Sequence, residues 1–196
     1  MREIKNEISV IIGRKGQGKT TLASRLIQNI KKVIIIDTLI EYTGSAQINI
    51  DEDLIKNLNY FFNNSTEFRL SITPENPAEF EDVINILKRY KNYTLLLDEV
   101  GIWSNPSYIP DSLYWILRFG RHSQINQIYA ARRPTELNRM MSALADRFYI
   151  FNTIEPRDLE YIAKITDSSL INEIKNIKQF NYINYKISEG YDIQSL

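Results

Sequence analysis

Apolar residues in this chain fall into two alternating patterns. Short continuous runs rich in Ile, Val and Leu cover residues 8–12, 32–37, 68–72, 93–97, 126–131 and 147–151, the pattern of strands buried on both faces of a parallel sheet. Between them, apolar residues recur three and four apart. Leu22, Ala23, Leu26, Ile27 and Ile30 form one such set, and Phe80, Val83, Ile84 and Leu87 follow Pro77. Leu113, Ile116 and Leu117 lead to Gly120, and Leu137, Met140, Met141 and Leu144 follow Pro134. These are helix faces, with proline at a helix start where its missing N–H is not needed. Two further helices are expected over 156–165 and 168–177, then a last strand over 179–188 that turns at Glu189 and Gly190. From 43 to 67 the pattern is poor and Asn and Asp are frequent, so no element is assigned there. Strands alternating with helices imply an α/β domain with a mainly parallel sheet sandwiched by helices.

Bulk properties narrow the classes of function. The 196 residues fit a single domain spanning 1–196, long enough for a substantial core. Lys+Arg and Asp+Glu number 24 each, so the chain has no overall electrostatic footprint for nucleic acid, and any DNA contact must be local or shared among subunits. With no cysteine and His122 as the one histidine, disulfides, thiolate metal sites and a histidine-ligated zinc are excluded. The first residues lack the apolar segment of a signal peptide, and no apolar run reaches the roughly 20 residues that span a bilayer. A soluble intracellular protein is expected, with no direct membrane insertion.

The chemistry-bearing stretch is Gly13-Arg14-Lys15-Gly16-Gln17-Gly18-Lys19-Thr20, followed by Thr21. It meets the G-x-x-x-x-G-K-[ST] pattern of a P-loop between a strand run and a helix face. Its glycines let backbone N–H groups turn inward around phosphates, Lys19 reaches the terminal phosphates, and the Thr20 hydroxyl ligates Mg²⁺. The dipole of the following helix adds to the attraction. A second signal is the 93–97 run ending in Asp98-Glu99, the form of a Walker B motif. Asp98 would hold Mg²⁺, and Glu99 would act as general base on the attacking water. Asp98-Glu-Val-Gly101 also fits the D-x-x-G of GTPases, but no Asn-Lys-x-Asp or Thr-Lys-x-Asp follows, so ATP is favoured. The 126–131 strand delivers Arg132-Arg133-Pro134 to the same carboxyl edge, where a polar residue can sense a γ-phosphate. Asp37 and the 38–42 loop end at that edge too. Trp103 and Tyr108 either stack on bases or pack locally, and packing is the commoner fate of aromatics.

In order and spacing, Gly13 to Thr20, Asp98-Glu99, Gly120-Arg121-His122 and Arg132-Arg133-Pro134 with Leu137 resemble the FtsK–HerA superfamily of ring-forming DNA motors. Asp37-x-x-x-Glu41-Tyr42 is similar to the acid, glutamate and tyrosine after strand two in HerA-like members. The short length resembles the packaging ATPases of membrane-containing icosahedral viruses, above all those of archaeal turreted icosahedral viruses. The resemblance covers most of the chain. It implies a P-loop NTPase fold of the RecA-like, ASCE type, using ATP and Mg²⁺. It also implies a homo-oligomeric ring, hexamer or pentamer, that pumps double-stranded DNA into a preformed capsid in the host cytoplasm and assembling virion. Its partner there would be the capsid vertex or a membrane-associated capsid protein. Many members carry Gln where this chain has Arg132, which leaves the sensor role of Arg132 open. For an arginine finger acting in trans, Arg121 is expected, on the argument that the helix after Asp98 runs back across the sheet and leaves Arg121 at the edge opposite its own P-loop. Arg118 and Arg147 are the alternatives. Two other functions compete with the motor: a nucleotide-dependent switch or assembly ATPase, and a small-molecule P-loop kinase.

Overall fold

The computed structural model describes residues 6–196. The short apolar runs become the centre of a nine-stranded sheet, in the order β3-β4-β2-β5-β6-β1-β7-β8-β9. The parallel strands are β1 (Ile8–Ile12), β2 (Lys32–Ile36), β3 (Ala46–Gln47), β4 (Phe68–Ile72), β5 (Tyr93–Leu97), β6 (Ile125–Ala131) and β7 (Arg147–Phe151). Strands β8 (Asn181–Lys186) and β9 (Gly190–Ser195) extend the sheet antiparallel beyond β7. Seven helices join the strands: α1 (Lys19–Ile27), α2 (Leu54–Asn64), α3 (Pro77–Leu87), α4 (Asp111–Phe119), α5 (Arg139–Leu144), α6 (Pro156–Ile165) and α7 (Leu170–Asn176).

The two faces of the sheet are covered unequally. Val10, Ile34, Leu95, Tyr129 and Phe148 point to the face packed by α2, α3, α4, α6 and α7, with Met141 of α5 joining them. Ile11, Val33, Ile35, Leu96, Ile128 and Tyr149 point the other way, where Leu22, Ala23 and Ile27 of α1 supply the cover. Helix α1 is therefore held on one side by apolar packing and at its end by Arg69, whose Nη2 donates to the Ile27 and Gln28 carbonyls at 2.9 and 3.2 Å. That contact satisfies carbonyls a helix end otherwise leaves unpaired.

The structure differs from the sequence reading at several points. The 43–67 stretch carries the two-residue edge strand β3 and the helix α2, of which only Leu54 and Leu58 are fully buried. The helix expected after Pro134 is split. A 3₁₀ turn spans Pro134–Glu136, and α5 restarts at Arg139, because Asn138 accepts from the Met140 N–H at 3.0 Å and caps a new helix. Leu144 is 39% exposed as a result. The first helix starts at Lys19, inside the glycine-rich motif, and a second antiparallel strand, β9, follows the Gly190 turn. Trp103 stacks on Phe80 with ring centroids 4.6 Å apart and planes 7° from parallel, whereas Tyr108 is exposed.

Phe80 is fully buried in the core beneath the loop that follows β5. Phe80→Ala is expected to lower unfolding free energy by about 3–5 kcal/mol. Ile55→Ala, at a side chain 40% exposed, should stay within about 0.5 kcal/mol of wild type. Urea denaturation of both variants checks the contrast.

Candidate nucleotide site

Strands β5, β6 and β1 lie side by side and parallel, so their carboxyl ends must open onto one edge of the sheet. β1 delivers Gly13, whose N–H donates to the Ala131 carbonyl of β6 at 3.2 Å. A side chain there is not tolerated, because a Cβ would lie 2.8 Å from the Phe151 Cβ on β7. The loop then tightens through a Gln17 N–H to Arg14 carbonyl bond of 3.3 Å, with Gly16 and Gly18 at φ 79° and 104°. Those left-handed angles suit glycine and turn the loop into the head of α1, which begins at Lys19.

Lys19 is 7% exposed, and its Nζ stands 3.7 Å from Glu99 Oε1. The other carboxylate oxygen of Glu99 accepts from Arg132 Nε at 2.9 Å. Glu99 thus links residues from the ends of β1, β5 and β6. Its backbone sits in the left-handed region, φ 50° and ψ 52°, a cost the fold accepts at few non-glycine positions. Asp98, one residue earlier, is 3% exposed and accepts the Glu99 N–H at 3.0 Å. Burial, and then the Glu99 charge, push its carboxyl up to about 6, against the opposing pull of the Glu99 N–H, the Tyr42 hydroxyl and Lys19.

The loop after β2 completes this side. Asp37, 1% exposed, accepts the Glu41 and Tyr42 N–H groups, each at 3.0 Å. So held, Glu41 Oε2 accepts from the Thr20 hydroxyl at 3.0 Å. The Tyr42 hydroxyl faces Asp98 without meeting hydrogen-bond geometry, and burial followed by the Asp98 charge drives its ionisation far upward. Gln17 Oε1 and Thr38 Oγ1 are buried without partners as well. Unpaired polar atoms gathered around one loop suit a site that takes a polar ligand.

The remaining sequence-predicted residues divide. Arg14 reaches Asn152 Oδ1 at 3.4 Å on the far flank of the loop, while Lys15 and Thr21 are exposed. Arg121 does not join the site. It lies in the 3₁₀ turn Gly120–Ser123 before β6, with Nη2 3.8 Å from Asp146 Oδ1. Because β6 is the direct, parallel neighbour of β1, Arg121 lies at the edge of the sheet opposite the P-loop, as expected. It stands at the opposite end of the adjacent strand, whose seven residues span about 20 Å. Arg118 donates to the Tyr114 hydroxyl at 2.7 Å and lies over the Tyr114 and Phe119 rings. Arg147 is committed to Glu7 at 2.6 Å and Asn184 at 2.8 Å. Arg133 clamps Asp158 and Glu155 at the head of α6. Sequence reasoning gave no role to Asn152, Gln179, Phe180 or Leu196. All four gather near the P-loop, brought there by pairing of β7 with β8 and β8 with β9 rather than by a local motif.

No protein-family model matches this sequence, and no curated protein matches it. Solved structures do. The genome packaging NTPase B204 of Sulfolobus turreted icosahedral virus 2, in complex with AMPPCP, matches with a TM-score of 0.80 at 21% identity over 97% of each chain. B204 of Sulfolobus turreted icosahedral virus, a DNA-packaging ATPase, matches with a TM-score of 0.76 at 22% identity, over 96% of this chain and 97% of that one. VirB4 of Thermoanaerobacter pseudethanolicus matches at 0.70 and 14% identity, over 97% of this chain and 89% of its own. The chain has the P-loop ATPase fold that its motifs predicted.

The raised Asp98 carboxyl is also a statement about stability. Its folded value, about 6, exceeds its ordinary value of 3.8, so ionised Asp98 weakens the fold above pH 6, and this cost fades as pH falls toward 4. Asp98→Asn is therefore expected to stabilise nucleotide-free, metal-free protein at pH 8 by about 1–3 kcal/mol. Near pH 4 it should match wild type. Calorimetric melting at both pH values checks this, and a lower melting temperature for the variant at pH 8 would contradict it.

Proposed function

We propose that this chain is an ATP hydrolase and the motor subunit of a ring that drives double-stranded DNA. The observation that carries the reading is the Lys19–Glu99–Arg132 chain of contacts at the head of α1. It puts a carboxylate of general-base character beside the P-loop lysine. The charges on either side of Glu99 are the ones a γ-phosphate would attract. When phosphate competes for Lys19 and Arg132, the Glu99 carboxylate is released toward the attacking water. Water oxygen then bonds to the γ-phosphorus, its proton passes to Glu99, the bond to the β-phosphate oxygen breaks, and ADP and phosphate leave. Arg132 in this account both holds the base and reads the γ-phosphate.

Mg²⁺ fits the donors present. Thr20 and Asp98 would hold it, with Glu41 and Tyr42 at its margin, and the phosphates would complete the shell, as is usual for this ion. Bound there, it would neutralise charge between the β- and γ-phosphates. The desolvated carboxyl of Asp98 and the unpaired Tyr42 hydroxyl support that assignment.

The likeness to B204, a DNA-packaging ATPase, supports DNA as the moved substrate. The packaging role extends this to a hexameric or pentameric ring at a capsid vertex. Arg121 is the arginine we assign to the neighbouring subunit's γ-phosphate. It is 63% exposed and only loosely paired, whereas Arg147 is engaged within its own fold, and Arg118, in the last turn of α4, is the alternative.

Lys19→Ala is expected to abolish hydrolysis and weaken ATP binding, and Glu99→Gln to keep binding while lowering turnover at least 100-fold, about the low end for a positioned base. Steady-state ATPase and titration calorimetry separate the two. Arg121→Ala should lose about 10³-fold in rate, and mixing it with Lys19→Ala should restore part of it, since some interfaces then join an intact P-loop to an intact Arg121. Full activity of Arg121→Ala alone, or no recovery in co-assembled mixtures, would remove Arg121 from this role.

A further inference from the structure

The P-loop has two flanks of opposite character. Toward β6 and β5 stand Lys19, Glu99 and Arg132, where the terminal phosphate belongs. Toward β7 and β8 the neighbours of Gly18 are apolar. A Cβ built on Gly18 would lie 2.2 Å from Leu196 Cδ1 and 3.5 Å from Phe180 Cδ1, so these two side chains abut the glycine that opens α1. The Leu196 N–H donates to the Phe180 carbonyl at 3.0 Å, which fixes the pair together. Gln179 ties the same turn to the loop by donating to the Gly16 carbonyl at 3.2 Å.

Phe180 is not explained by folding. It is 49% exposed and holds φ 64°, a left-handed angle that a bulky side chain adopts only at a cost. A strained, half-exposed aromatic ring beside a phosphate loop points to a ligand that covers it.

We infer that Phe180 and Leu196 form the seat for the nucleotide base, with Phe180 stacking on its face. This rests on the reading that the P-loop holds a nucleoside triphosphate. With the γ-phosphate directed toward Glu99, the base end of the molecule extends toward the β7 and β8 flank. Aromatic stacking and apolar contact suit a flat heteroaromatic ring. The side-chain amide nitrogens nearby are already engaged: Asn152 donates to the carbonyls of Ile174, Lys175 and Ile177, and Gln179 donates to Gly16. The seat therefore grips the face of a purine rather than reading its edge with side chains, and ATP and GTP bind alike.

Titration calorimetry with Mg²⁺ tests this using ATP, GTP and inorganic tripolyphosphate. Phe180→Ala should weaken ATP and GTP each about tenfold and leave tripolyphosphate within twofold of wild type. Phe180→Trp should keep ATP affinity, and its added fluorescence should change with ATP but not with tripolyphosphate. Unchanged ATP affinity in Phe180→Ala, an equal loss for tripolyphosphate, or a strong preference for one purine would overturn the assignment. Wild-type protein that binds neither tripolyphosphate nor ATP would instead remove the P-loop reading, and the base seat with it.

Discussion

A lysine almost wholly buried at the head of a helix needs a counter-charge, and Glu99, 3.7 Å away, supplies it. The rest of the site follows from how those two residues are brought together. Lys19 is placed by β1 and the glycine turn, Glu99 by β5, and the Arg132 that takes the other Glu99 oxygen by β6. Parallel strands in the order β5-β6-β1 end at one edge, so the sheet converts residues more than a hundred positions apart into one constellation. Neither face of that sheet can be exposed, and the unequal cover on its two sides leaves α1 as the element that both packs and points its amino end at the ligand.

The site gathers in one place departures that are scattered singly elsewhere in the chain. Glu99 adopts a left-handed backbone, Asp98 is desolvated, and Gln17, Thr38 and Tyr42 bury polar atoms without partners. Away from the site, Arg69, Thr94 and Trp103 each leave one buried polar atom unpaired, while Asp158, the buried acid at the head of α6, is fully engaged by Arg133 and Thr135. Local violations gathered at one loop cluster mark a place where the fold gives up stability for function.

What was legible in the sequence was what is local. Gly13 to Thr20 and Asp98-Glu99 are contiguous motifs whose chemistry depends on spacing, and the strands before them, β1 and β5, are short, mainly apolar runs of the kind buried on both faces of a sheet. Helix α2 was missed although Leu54, Leu58, Phe61 and Phe62 fall at helical spacing and Phe61 and Phe62 pack partly buried against the core; the Asn and Asp residues around them obscured the pattern. Strand β9 is exposed throughout and is held by backbone pairing to β8, which leaves no pattern in the side chains. The helix after Pro134 was misjudged because Asn138 caps a new turn at a position where apolar spacing continues. Arg121 was read at the edge of the sheet opposite its own P-loop, where it stands, because the helix after Asp98 has to run back before the next parallel strand; which strands lie side by side, by contrast, cannot be read from a single chain of elements. Phe180 and Leu196 were invisible for the same reason: they meet Gly18 only once β7, β8 and β9 are paired.

In this account one chain holds the nucleotide, but the motor is the assembly, because Arg121 stands about a strand's length from its own phosphate loop. The most direct measurement is ATPase turnover per chain across a wide range of protein concentration, with and without duplex DNA. The account requires turnover to rise steeply as chains assemble and to rise further with DNA. A turnover that is constant per chain at every concentration and indifferent to DNA would contradict it.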